Sequence, residues 1–352
     1  EEDSKHLEPN RGLSPFFGFP ERASKAQRNN YGFYCPSHRE LVDYPYSRCE
    51  CEYLVGIFGG SVAAGFCRDT ASWLENELSQ RLFENKRDVR ILNFSMGALK
   101  QPGQLFYLNY FLSLGQEFDI IVNLDGYNDT VGAIFNLTGG IHPAMPLGEL
   151  INSFHSLVSI PQLDAVQLSY FLKIVKLQEW LKCVEKWPLN GMGLKSILSS
   201  KLNRERRNPP ESSNREYLME LPRVDPIHYG HSDEIQRALL RREIADIWFR
   251  ASYSMQVLAE AHKAHYMHIL QPNHQFLNKA LTREERRLLE EDGNPHAQII
   301  IQEIYPELLE LGKRLPEKVF CTMTDVFDSI ESTILADGRC HFNKTGHGLI
   351  AE

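Results

Sequence analysis

The chain has 352 residues, 42% of them hydrophobic and 24% charged, enough apolar material to build a globular core. Its formal net charge of -8 excludes a broad nucleic-acid surface, which needs clustered Lys and Arg to displace counterions from phosphates. No run of about 18 apolar residues occurs, so no helix of this chain is expected to span a bilayer.

The one basic cluster, Lys201 to Arg207, is broken by Glu205 and runs into Pro209 and Pro210, and it reads as a solvated loop. The chain begins at Glu1 without a Met, which leans toward an exported or membrane-anchored protein whose leading segment is missing here. The seven cysteines are odd in number and spread along the chain, and the Cys49 to Cys51 spacing does not suit a zinc knuckle. They read as structural thiols, with a Cys35 pairing to Cys49 or Cys51 as the alternative that would accompany export.

Residues 1–50 are rich in Pro, Gly, Asn, Arg and Tyr without a sustained period, which suggests an extended arm wrapping the surface. Tyr53 to Phe58 reads as a buried strand stopped by Gly59 and Gly60. Asp69 to Asn85 reads as an amphipathic helix with Trp73, Leu74, Leu78, Leu82 and Phe83 on one face. A strand at Val89 to Phe94, a helix from about Gln101 to Leu114 and a strand at Phe118 to Leu124 continue the alternation. Strands alternating with helices predict a parallel sheet. Further strands fall at Tyr266 to Leu270 and near Val319 to Met323, and the last helix is expected to begin near Lys344. Between them, residues 140–262 carry helical patterns at about Leu163 to Val184 and Asp233 to His262. This interval reads as a helical insertion in one α/β domain, a separate domain being the alternative.

Reactive groups of open parallel sheets collect at the carboxyl ends of the strands. Here the first strand ends in Gly59, Gly60 and Ser61, the second in Asn93 to Gly97, and the third in Asp125, Gly126, Tyr127, Asn128 and Asp129. Near the C-terminus, Asp337 to His341 precedes a helix-like segment. A serine hydroxyl is a poor nucleophile until a base takes its proton, and imidazole suits that task. Ser61, at a glycine-rich strand-to-helix turn, is well placed to expose its oxygen. His341 is the only histidine beside a possible acid partner at a loop-to-helix turn, which makes it the candidate base. Taken singly, each residue also has a plain structural reading: Ser61 as a helix cap, Gly97 as a turn, Asn128 and Asp129 as an Asx turn.

Together the four segments resemble the SGNH (GDSL-like) hydrolases. That family carries Gly-Asp-Ser or Gly-Gly-Ser after strand one, Gly after strand two, Gly-x-Asn-Asp after strand three and Asp-x-x-His near the end. The resemblance covers residues 53–129 and 265–352. It implies a flavodoxin-like three-layer α/β sandwich with a central parallel sheet, spanning 51–352 and interrupted by the helical insertion at about 140–262. It implies Ser61 as nucleophile, His341 as base and Asp337 as orienting acid. The oxyanion hole would consist of the N–H groups of Ser61 and Gly97 and the side-chain amide of Asn128, with no metal or cofactor. One departure stands out: the family places its acid three residues before the histidine, whereas Asp337 stands four before His341 and Gly338 fills the usual place.

The expected reaction is cleavage of an oxygen ester through an acyl-serine, with O-acetyl groups on a carbohydrate as the first substrate and a lipid ester or acyl thioester next. An acyltransferase would use the same residues while excluding water. A binding or scaffold domain that lost activity through the altered Asp337 spacing is the reading from another class, against which the intact Ser61, Gly97, Asn128 and His341 argue. The partner expected is therefore a small-molecule or glycan ester rather than nucleic acid. Gln271 to His274, after a late strand, read as a pocket wall, and Cys340 as packing. His262, His265 and His268 straddle a helix-to-strand junction and are not expected to converge on a metal. Of three glycosylation-like sites, only Asn136 lies where a glycan is plausible.

Overall fold

Hydrophobic side chains of alternating direction build the centre of the molecule. In β1 (Glu52–Gly59), Leu54 and Phe58 face one way and Val55 and Ile57 the other, as a period of two requires, and both faces are buried. The computed structural model describes residues 27–36, 38–148, 165–185, 192–207, 224–276, 278–293 and 295–352. Five strands form one parallel sheet in the order β2 (Asp88–Ser95), β1, β3 (Ile120–Asp125), β4 (His265–Leu270) and β5 (Phe320–Thr322). The register pairs Gly59 with Ser95 and with Leu124, and Asp125 with Leu270, so the carboxyl ends of four strands lie side by side.

One face of the sheet is covered by α1 (Ser61–Phe83), through Val62, Ala63, Phe66 and Cys67, and by α9 (Lys344–Ala351), through Ile350. The other is covered by α2 (Gly103–Ser113) and α6 (Glu234–Ala261), which contribute Tyr107, Leu108, Phe111 and Met255, and by α8 (Pro295–Gly312). The fold is a three-layer α/β sandwich around a parallel sheet. Further α-helices among the described residues are α3 (Ala133–Thr138), α4 (Ala165–Glu185), α5 (Met192–Arg207) and α7 (Arg283–Asp292). Among the described residues, no helix is long and apolar enough to cross a membrane.

Several sequence expectations need correction. The helix expected from Asp69 begins at Ser61, directly from the Gly60 N-cap. Its buried face is set by Val62, Ala63, Phe66, Cys67 and Thr70, which leaves Trp73 and Leu82 exposed. The cluster Lys201 to Arg207, read as a loop, is the last two turns of α5, where Arg and Lys are good helix formers. The long helix α6 packs on β4 and belongs with the sheet. The chain divides into one compact unit of Glu1–Gly148 with Pro222–Glu352 and a second of Glu149–Leu221, in which α4 and α5 pack through Leu177, Val184, Leu198 and Leu202.

Of the expected N-terminal arm, residues 1–26 and 37 lie outside the described residues. Residues 27–50 contribute Phe33 and Tyr44 to the main core, where both rings pack on Phe94. All seven cysteines are free, so the alternative Cys35 disulfide is not formed; the buried Cys35 thiol instead approaches the Val42 carbonyl at 3.8 Å. Asn136 is buried and its amide is spent on the carbonyls of Met145 and Pro146 (2.9 and 3.0 Å), which rules it out as an exposed glycan acceptor in this fold.

Candidate active site

The turn from β1 into α1 fixes Ser61. Gly59 has φ of +149°, and a Cβ there would lie 2.1 Å from the Leu124 carbonyl oxygen, so only glycine fits. The first intrahelical bond runs from the Ala64 N–H to the Gly60 carbonyl (3.1 Å). The N–H of Ser61 therefore lies ahead of the α1 ladder, at the positive end of the helix dipole.

Ser61 and His341, 280 residues apart, meet at this edge: Ser61 Oγ lies 2.7 Å from His341 Nε2. On the far side of the ring, His341 Nδ1 lies 2.5 Å from Asp337 Oδ2. With Nδ1–H donating to the carboxylate, Nε2 is left to accept the serine proton. The other Asp337 oxygen accepts the N–H groups of Arg339 (2.8 Å) and His341 (3.3 Å). Burial alone would raise the Asp337 pKa, but the imidazole and these N–H donors outweigh it and hold the carboxyl below its usual range.

The four-residue step from Asp337 to His341 has a visible accommodation. Leu335 and Phe342 pair as an antiparallel bridge, and the Ala336 N–H donates to the His341 carbonyl, which closes a loop with Asp337 and His341 at its ends. Cys340 takes up the added length in the left-handed region, with φ of +71°. Its side chain is fully buried, near the Pro272 carbonyl and the Gln271 amide (3.6 and 3.7 Å), a packing role as expected.

The other two expected residues arrive on neighbouring loops. The Met96 N–H donates to the Gly59 carbonyl (3.1 Å), which brings the turn containing Gly97 beside the Ser61 turn. The Asn128 side chain lies against Gly60, where a Cβ would meet Nδ2 at 2.5 Å. Asn128 Nδ2 donates to the Leu99 carbonyl (3.1 Å). A primary amide carries two hydrogens, so one orients the group and the second remains for another acceptor.

Three arrangements beside these residues escaped the sequence reading. Asp129 spans the two loops, as described below. Asp125, fully buried at the end of β3, accepts from Trp248 Nε1 (2.7 Å), His268 Nε2 (2.8 Å) and Asn123 Nδ2 (2.6 Å), while His268 Nδ1 meets Ser252 Oγ at 2.6 Å. The alternative use of His268 as a metal ligand is thereby displaced by an internal polar network. Lastly, His347 of α9 bonds Asp69 of α1 (2.7 Å), joining the helix that starts at Ser61 to the helix that follows His341. Burial lowers the His347 pKa, a shift the Asp69 carboxylate only partly opposes. The residue types of these pairs were visible, but nothing in their spacing announces contacts across 143 or 278 positions.

The hydroxyl, imidazole and carboxylate thus form a hydrogen-bonded series with Ser61 partly exposed, an arrangement able to deprotonate an alcohol for attack on an electrophilic carbon. No protein-family model matches the chain, and no curated protein sequence matches it. Among solved structures it is similar to "Crystal Structure of TesA", with 13% sequence identity, coverage of 85% of this chain and 93% of that one, and a TM-score of 0.32.

Proposed function

We propose that this chain is a serine ester hydrolase with Ser61 as nucleophile, His341 as general base and Asp337 as the acid that orients it. The observation that carries the reading is the continuous Ser61, His341 and Asp337 series, at 2.7 and 2.5 Å, at the carboxyl edge of the sheet. In the first half-reaction Ser61 Oγ attacks the ester carbonyl while its proton passes to His341 Nε2. The Asp337 carboxylate fixes the tautomer and stabilises the imidazolium without taking the proton. Negative charge develops on the carbonyl oxygen, facing the N–H groups of Ser61 and Gly97 and the second hydrogen of the Asn128 amide. Collapse expels the alcohol, which takes its proton from His341. Water, deprotonated by the same imidazole, then releases the acyl group and restores Ser61.

An O-acetyl group on a carbohydrate is the first natural substrate to assay; its acyl part is small and its alcohol leaves as a neutral hydroxyl. The test is hydrolysis of p-nitrophenyl acetate by the wild-type protein and three variants. Ser61→Ala and His341→Ala are each expected to lower turnover by about 10⁴-fold or more, because nucleophile and base act as a unit. Asp337→Ala costs less than either. A folded wild-type protein that does not cleave the ester faster than the Ser61→Ala variant contradicts the proposal.

A further inference from the structure

The two loops that supply Gly97 and Asn128 must keep a fixed separation if both are to face one oxygen, and one buried side chain spans them. Asp129 follows Asn128 in a π-helical turn, Asn128–Gly132, and is 5% exposed. One carboxyl oxygen accepts the Gly126 N–H at 3.1 Å, a local bond to a residue three positions earlier. The other accepts the Gln101 N–H at 2.6 Å, from a residue 28 positions earlier. A local turn does not explain this second bond. It holds the segment Met96–Gln101, and with it Gly97, to the turn that carries Asn128.

Other contacts run the same way. Asn128 Nδ2 bonds the Leu99 carbonyl on that segment, and Gln101 Nε2 reaches the Asp125 carboxylate at 3.3 Å, so Gln101 is held by its backbone on one acid and by its side chain on another. Burying a carboxyl beside a second one is costly: burial first and Asp125 second raise the Asp129 pKa, against the N–H donors and the buried Lys100. A neutral Asn or Ser could accept the Gly126 N–H alone without that cost. A two-oxygen acceptor is needed only if both loops are to be held.

We propose that Asp129 is a positioning residue that sets the spacing between the Gly97 N–H and the Asn128 amide in the oxyanion hole, an inference that rests on the esterase reading above. Asp129→Asn keeps the volume but turns an NH₂ group toward one of the two N–H donors, so one clasp opens. Turnover of p-nitrophenyl acetate is expected to fall by about 10- to 100-fold, less than or equal to the loss from removing an oxyanion donor outright, with KM within about twofold of wild type. Affinity for a boronic acid that forms a tetrahedral adduct on Ser61 is expected to fall by the same factor as kcat, since only tetrahedral species use the hole.

The combination Asn128→Ala with Asp129→Asn is expected to be no slower than Asn128→Ala alone, because a spacer loses its effect once the group it places is gone. If the Asn variant does not fold, Asp129→Glu, which keeps both acceptors and shifts them by one methylene, carries the same test. An active wild type with unchanged kcat in the folded variant, or multiplicative losses in the double variant, overturns the role of Asp129 and leaves the esterase intact. A wild type that neither cleaves the ester nor binds the boronic acid overturns the esterase reading, and this inference with it.

Discussion

At the scale of single residues, the site depends on how closely backbone and side chain approach. Gly60 has φ of -85°, a conformation open to any residue, so its requirement is steric: a Cβ would sit 2.5 Å from Asn128 Nδ2 and 3.1 Å from the Leu99 carbonyl. Gly60→Ala must push the Asn128 amide away from the edge of the turn that carries Ser61. The expected outcome is a loss of about 10²-fold in kcat, comparable to loss of an oxyanion donor, with destabilisation of about 1–3 kcal/mol from overpacking. Steady-state kinetics beside a thermal melt check this, and a folded variant with wild-type kcat removes Asn128 from the mechanism. The four candidate motifs were legible in the sequence because strand ends, glycine turns and the serine and histidine chemistry are local signals. The four-residue step from Asp337 to His341 was legible as an irregularity but not as a workable geometry. Its resolution lies in the left-handed Cys340 and in the Leu335 to Phe342 bridge, and neither is signalled by residue type.

At the scale of elements, β1, β2 and β3 were legible because each is a short, largely buried apolar run that stops at a turn. Helix limits were less so. The start of α1 was hidden because Ser61 to Cys67 is mostly apolar and has no polar face, whereas a polar and an apolar face alternate only from Asp69 onward. The helix α8 buries Ala297, Ile300, Ile301, Ile304, Tyr305, Leu308 and Leu311, a helical period that the sequence does show and that the strand-centred reading passed over. The helix α7 was marked only by the capping box of Thr282 and Glu285. That same Glu285 accepts the Ile334 N–H (2.9 Å) and pairs with the buried Lys279 (2.8 Å), so the start of α7 also anchors the segment leading to Asp337. With the His347 to Asp69 bond between α9 and α1, the loop that carries Asp337 and His341 is tied back to helices on both sides.

At the scale of the whole molecule, the parallel sheet brings together residues from four separated stretches of chain, and stability must hold them in register. His274, after β4, shows what the fold tolerates near the site: it is 8% exposed, neither ring nitrogen has a hydrogen-bond partner among the described residues, and burial lowers its pKa to about 4. The unfolded chain takes up a proton there near pH 6.5, while the folded protein does not until about pH 4. Stability therefore falls as pH drops through that window, by about 3 kcal/mol for this one group. His274→Gln is expected to lose less stability than wild type between pH 7 and 4.5 in denaturant titrations, and parallel pH profiles would show that the ring protonates freely in the folded state. The central claim, that the sheet edge presents an activated serine, is tested most directly by reaction with a fluorophosphonate followed by peptide mass analysis. The account predicts one adduct, on Ser61, abolished in Ser61→Ala and strongly slowed in His341→Ala. A folded protein that takes no label, or takes it at another residue, would contradict it.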